Sequence, residues 1–154
     1  MNGQAGSTRP VPSSFLAFDF GTQRVGVATG NTLLRQAQPL QTVAAEGDAR
    51  FAAIGRLVAQ WQPDALVVGV PFHPDGAAHD NTRRAQRFAR QLHGRFQLPV
   101  HEVDERYTTT EALAQAAQAA PGRTGAADAD AAAAAIILDQ YLRQIPAEAH
   151  DAAA

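Results

Sequence analysis

The sequence predicts an α/β domain: a mixed sheet with an antiparallel three-strand start, then alternating helices and strands, with helices on both faces. Three observations predict it. Short apolar runs closed by turn residues come first, at Phe15–Phe20, Val25–Ala28 and Ala37–Val43. From Asp48 onward, runs with helical spacing alternate with β-rich runs. The length of 154 residues suits one hydrophobic core and not two.

Residues 1–13 are polar, hold Pro10 and Pro12, and read as a disordered arm ahead of a domain over 14–145. Phe15-Leu16-Ala17-Phe18-Asp19-Phe20 reads as a strand buried on both faces, closed by Gly21-Thr22. Val25-Gly26-Val27-Ala28 is its expected hairpin partner, and Pro39 marks the third strand as an edge. Asp48 is placed to cap a helix carrying Phe51, Ile54, Leu57, Val58 and Trp61 at helical spacing. Ala65–Val70 is β-rich and ends at Pro71. A helix from about Asn81 to Phe96 sets Phe88, Leu92 and Phe96 on one side, and Pro99–Asp104 is a further short strand. Thr108-Thr109-Thr110-Glu111 has capping-box spacing and opens an Ala-rich helix. The loop Pro121-Gly122-Arg123-Thr124-Gly125 precedes a last helix, roughly Asp128 to Gln144. Pro146 stops that helix, leaving 146–154 as a loose tail. Because 34 residues are Ala, the helices are expected to pack closely on small faces.

Composition removes several chemistries. The 13 basic residues are all Arg, set against 15 Asp and Glu, for a net charge of -2. Without Lys there is no Walker phosphate loop and no Schiff base. Without Cys there is no thiolate nucleophile, Cys-based zinc site or disulfide. The serines are Ser7, Ser13 and Ser14, too near the start to serve a catalytic triad. Carboxylates, His, Thr, Tyr and metal ions remain. The polar start has no apolar leader and no run approaches a membrane span, so a cytoplasmic protein is expected.

Asp19 is the most informative residue, since a carboxylate in an apolar strand is costly unless paired or bound to a metal. A strand-end Asp bonding the amides of its own turn fits the local sequence equally well. Gly21, Gly26 and Ala28 around it leave room for a substrate backbone to approach. Glu105 follows a second strand, with Asp104 as its competitor and an ion pair to Arg106 as the simpler reading. Asp130 lies near the start of the last helix beside Asp128, where capping alone would account for an acid. Three carboxylates at strand ends and a helix start could converge on one sheet edge, where they repel one another unless divalent cations fill the cluster. Arg83, Arg87 and Arg90 fall on one helical face within an acid-free stretch; a solvated surface is the simpler reading, and Arg is also suited to phosphate contacts.

Four motifs in order resemble the YqgF family. They are Ala17-Phe18-Asp19-Phe20-Gly21-Thr22 with Arg24-Val25-Gly26-Val27-Ala28; Val68-Gly69-Val70-Pro71 with Asp75-Gly76; Asp104-Glu105-Arg106-Tyr107-Thr108-Thr109 with Glu111-Ala112; and Asp130-Ala131-Ala132 leading to Ile136-Ile137-Leu138. The match spans about Phe15 to Leu142. The resemblance implies a ribonuclease H-like fold and either a nuclease for the 5′ end of precursor 16S ribosomal RNA or a Holliday-junction resolvase. It implies Asp19, Glu105 and Asp130 as catalytic metal ligands for Mg²⁺ or Mn²⁺, in a two-ion site. Arg24, Arg106 and Arg123 join Arg83, Arg87 and Arg90 as expected nucleic-acid contacts, with Tyr107 as a stacking candidate. The expected form is a monomer or weak homodimer. Ala126-Ala127-Asp128-Ala129 departs from the family pattern, which keeps Asp128 open as a substitute ligand. Asp-Phe-Gly-Thr also resembles the phosphate motif of actin-like ATPases, which need a second domain. A non-catalytic module binding RNA or the transcription machinery is the remaining alternative.

Overall fold

Phe15, Leu16, Ala17 and Phe18 are all buried, which requires cover on both faces of the strand that carries them. In the computed structural model, which describes residues 13–107 and 126–145, that strand is β1, Ser14–Asp19. It is followed by β2 (Val25–Asn31), β3 (Gln36–Val43), α1 (Gly47–Trp61), β4 (Ala65–Val70), α2 (Asp80–Phe96) and β5 (Val100–Asp104). A 3-10 turn over Glu105–Tyr107 comes next, and α3 covers Ala126–Gln144. The helix expected from Thr108 and the loop over 121–125 lie outside the described residues, as do the expected arm over 1–12 and the tail over 146–154.

The strands are ordered β3-β2-β1-β4-β5. β1 pairs antiparallel with β2 and parallel with β4, and β4 pairs parallel with β5. The antiparallel start and the edge position of the strand containing Pro39 are as the sequence predicts. Pro39 sits opposite Ala28, next to a register irregularity at Val27/Ala28.

Alternation along the strands divides the core in two. Leu16, Phe18, Val25, Val27, Leu66 and Val68 pack against Ile54 and Leu57 of α1 and Phe88 and Leu92 of α2. Phe15, Ala17, Ala28, Val67 and Val103 pack against Ala134, Ile137, Leu138 and Leu142 of α3. The Ala-rich stretch of α3 is therefore helix, and its small residues let it lie close to the sheet.

Two boundaries differ from expectation. Asp48 does not cap α1: the N-cap is Glu46, which makes no side-chain cap bond, and Asp48 stands in the first turn. Gly47 takes a φ of 59° and is the first residue of the helix, two positions earlier than an Asp48 cap allows. α2 begins at Asp80, where His79 Nδ1 accepts from the Asn81 N–H at 3.2 Å and Thr82 Oγ1 accepts from the His79 N–H at 3.0 Å. No helix among the described residues is long and apolar enough to cross a membrane.

Because β1, β4 and β5 run parallel, their carboxyl ends share one edge of the sheet, and α2, leaving β4, starts there. In sheets of this kind ligands collect at that edge.

Candidate active site

Asp19 is the last residue of β1 and, by alternation with Phe15 and Ala17, belongs to the α3 face. Its neighbours across the sheet are glycines. Gly26 of β2 pairs directly with it, and Gly69 of β4 lies one residue beyond the Phe18–Val68 pair. A Cβ at Gly26 would lie 1.9 Å from the main-chain oxygen of Asp130, so the first turns of α3 rest on the strand at that point. A Cβ at Gly69 would lie 2.5 Å from Ile137 Cδ1 and 2.7 Å from Glu105 Oε2. The space beside Asp19 is thus filled on one side by the helix bearing Asp130 and on the other by the Glu105 carboxylate. The sequence reading left the room at Gly26 for substrate; helix backbone takes it instead. Gly69 was missed, because its role depends on strand register.

Electrostatics show the crowding. Burial raises the Asp19 carboxyl from 3.8 to about 7, with the charges of Glu105 and Asp130 adding to the shift. Glu105 rises from 4.5 to about 6, first through burial and then through Asp104. Asp104, the competitor for its role, is engaged elsewhere. Arg106 Nη2 and Nε donate to Asp104 Oδ2 at 2.8 and 3.0 Å, and the Arg106 N–H donates to Oδ1 at 2.9 Å. Those bonds, chiefly the side-chain ones, hold Asp104 below the usual carboxylate range. Asp104→Asn should therefore lower the Glu105 pKa by removing the neighbouring charge, as followed by carbon-13 NMR titration of its carboxyl. An unchanged Glu105 titration would mean that burial alone sets it.

Asp130 Oδ2 accepts from Arg24 Nε at 2.7 Å. The side chain of Asp128 lies outside the described residues, as do that of Tyr107 and the whole of Arg123. Arg106, besides gripping Asp104, lies over the Phe72 ring at 5.7 Å. Arg83, Arg87 and Arg90 of α2 are all exposed. Arg83 pairs with Asp80 at 3.4 Å, Arg87 opens into a cleft toward α1, and Arg90 lies on the opposite flank with His93 and Glu102. Arg50 of α1 and Arg84 of α2, which line the cleft with Arg87, were not anticipated.

Among the described residues, no three acidic or histidine side chains are grouped tightly enough to hold one ion as they stand. Asp130 is engaged by Arg24. The donor chemistry nevertheless fits a hard divalent cation: carboxylate oxygens, one of them half-buried and crowded by two like charges, which a cation would relieve.

A family model described as "RuvX: Holliday junction resolvase" matches residues 13–144. A protein of Albidiferax ferrireducens named "Putative pre-16S rRNA nuclease" is 69% identical over 132 residues, covering 86% of this chain and 79% of that one. Proteins of the same name from a Polaromonas species and from Paraburkholderia phytofirmans are 65% and 55% identical, covering 86% and 84% of this chain and 90% and 88% of theirs. RuvC of Thermus thermophilus superposes with a TM-score of 0.52 at 15% identity, over 84% of this chain and 95% of RuvC. The same protein in complex with a Holliday junction gives 0.51, again at 15% identity, over 84% and 93%. The RuvC likeness shows the fold, which is ribonuclease H-like. By the family match and the identity to these relatives, the chain belongs to the RuvX family, a family of nucleases and resolvases.

Proposed function

We propose that this protein is a metal-dependent endonuclease that hydrolyses phosphodiester bonds at the 5′ end of precursor 16S ribosomal RNA, in the cytoplasm, as a monomer or weak homodimer. One observation carries the reading: Asp19, half-buried between two glycines, is crowded by Glu105 and Asp130 at the carboxyl edge of the sheet. The names borne by the relatives support the choice of RNA. Asp19, Glu105 and Asp130 would hold the ions, and Mg²⁺ or Mn²⁺ bound there would supply Lewis-acid activation of water and of the phosphoryl group. The water oxygen attacks phosphorus in line and the P–O3′ bond breaks, leaving a 5′-phosphate and a 3′-hydroxyl. Raised to about 7, mainly by burial, Asp19 is only partly ionised at neutral pH in the metal-free protein, and a cation beside it would favour the ionised form; Glu105, raised to about 6, is mostly ionised already.

Arg24 has two competing partners in this scheme. In the free protein it neutralises Asp130. A substrate phosphate that takes the guanidinium releases Asp130 to its place in the acidic cluster. Arg24→Gln should accordingly tighten Mn²⁺ binding without substrate by several-fold and weaken nucleic-acid binding by a similar factor. Mn²⁺ titration followed by electron paramagnetic resonance checks the first. An unchanged Mn²⁺ affinity would remove Asp130 from the ligand set.

The family description, Holliday junction resolvase, favours a second reading, branched DNA as substrate. Cutting both strands of a junction symmetrically requires a dimer. Cleavage of a precursor 16S fragment and a four-way DNA junction, run in parallel with Mg²⁺ and with Mn²⁺, decides between them. We expect the RNA to be cut. Cutting of the junction alone would select the second reading. No cleavage of either would overturn the nuclease reading and leave the nucleic-acid-binding module.

A further inference from the structure

On the face of the sheet opposite Asp19, but at the same edge, a cleft of about 320 Å³ opens between α1 and α2, lined by Phe20, Thr22, Gly47, Arg50, Arg84 and Arg87 among others. Phe20 and Thr22 belong to the turn that leaves Asp19, so the cleft lies just over the sheet edge from the acidic cluster.

Arg50 is the unusual member. It is only 6% exposed, yet it makes no ion pair among the described residues. Its Nε donates to the Ala45 carbonyl at 2.8 Å and its Nη2 to the Thr22 carbonyl at 3.1 Å, with the Phe20 ring 5.6 Å from the guanidinium carbon. Two of its five N–H donors are thereby used, and among the described residues no carboxylate lies within ion-pair distance of it. Burial acts against that charge, and Glu46 offsets the penalty only in part. Arg84 spends one donor on Asn81 Oδ1 at 3.0 Å, and Arg87 is exposed. The amino end of α1, uncapped by any side chain, adds partial positive charge at Gly47. Asp48, in the first turn of α1, is met by Arg95 at 3.4 Å and so subtracts little. Three guanidiniums with spare donors around one opening make a site for a tetrahedral oxyanion.

We infer that this cleft binds a phosphodiester of the same nucleic acid whose scissile bond lies at Asp19, so that the bound chain passes over the edge of the sheet at the Gly21–Thr22 turn. The inference rests on the nuclease reading for the placement of the scissile bond. It makes the substrate a folded or branched nucleic acid, with one segment on each side of that edge. A short linear strand engages one side only.

Binding measured in chelator, where no cleavage occurs, isolates the cleft. Fluorescence anisotropy of a labelled RNA hairpin with a single-stranded leader, and of a four-way DNA junction, over a salt series compares the wild type with Arg84→Gln/Arg87→Gln. Both residues are exposed, so the variant should fold, and its thermal melt checks this. The expected result is about tenfold weaker binding at low salt and a salt slope smaller by about one to two, because fewer counterions are released. Arg50→Gln should weaken binding in the same direction. Unchanged affinity and slope in both variants would overturn the inference while leaving the nuclease reading intact. Inorganic phosphate, titrated against the Thr22 and Gly47 amides by NMR, forms the second arm. Tight phosphate binding that nucleic acid does not displace would assign the cleft to a free anion and also overturn the inference. If the wild type cuts neither nucleic acid yet binds both through the cleft, the nuclease reading fails and the cleft remains a nucleic-acid site.

Discussion

Replacing Asp19 with Asn will abolish cleavage and at the same time make the metal-free protein more stable. The first effect follows from the central position of Asp19 between Glu105 and Asp130, and should cost at least about 10³-fold in rate. The second follows from linkage. The Asp19 carboxyl rises from 3.8 to about 7 on folding, so the folded state binds a proton that the unfolded state has released. Stability from this group is present in full below pH 3.8 and is lost as pH rises through about 7. At pH 8 the ionised form costs the folded protein up to roughly 4 kcal/mol. Asn escapes that cost and gives part of it back as unsatisfied amide hydrogen bonds, so a Tm gain of several degrees is expected at pH 8, at about 2–4 °C per kcal/mol. The gain should vanish near pH 4. Thermal melts of both proteins in chelator from pH 4 to 8 check this. A variant less stable than wild type at pH 8 would mean that Asp19 is a satisfied structural acid.

Gly26→Ala is expected to be the most damaging glycine-to-alanine change among the described residues. Its Cβ would lie 1.9 Å from the Asp130 main-chain oxygen and 2.2 Å from the carbonyl carbon, and neither atom belongs to a side chain that can rotate away. α3 must shift outward by more than an ångström, opening the packing of Ala134, Ile137 and Leu138 on the sheet. A loss of about 3–5 kcal/mol is expected, with cleavage lost as well because Asp130 moves with the helix. Gly47→Ala makes a useful contrast, since its Cβ meets nothing within 4 Å and the cost is only that of the positive φ, about 1 kcal/mol. Urea denaturation of the two variants gives the comparison. Equal, small losses would show that α3 does not rest on Gly26.

Much of this was legible in the sequence, for identifiable reasons. The antiparallel start shows because Phe15–Phe20 and Val25–Ala28 are separated by a glycine turn, and Pro39 marks the edge. Asp19 stands out because a charge in an apolar strand needs a reason. The pairing of Asp19 with glycines on both sides was not legible, since a Val-Val-Gly-Val run gives no hint of which residue Gly69 will face. Glu105 and Asp104 are adjacent, and only the position of the Arg106 guanidinium separates the engaged acid from the one directed toward Gly69. The arginine face on α2 was drawn from helical angle alone. Angle groups Arg83, Arg87 and Arg90 but is blind to α1, whose Arg50 turns Arg84 and Arg87 into walls of a cleft.

The central claim is that three carboxylates from three separate elements act as one unit. It is tested most directly by the Mg²⁺-dependent cleavage rate of one precursor 16S fragment with Asp19→Asn, Glu105→Gln, Asp130→Asn and the triple variant. Residues that jointly hold the same ions fail together, so each single variant should lose about as much activity as the triple, by at least about 10³-fold. Losses that multiply from single to triple, or any single variant that cuts at the wild-type rate, would contradict it.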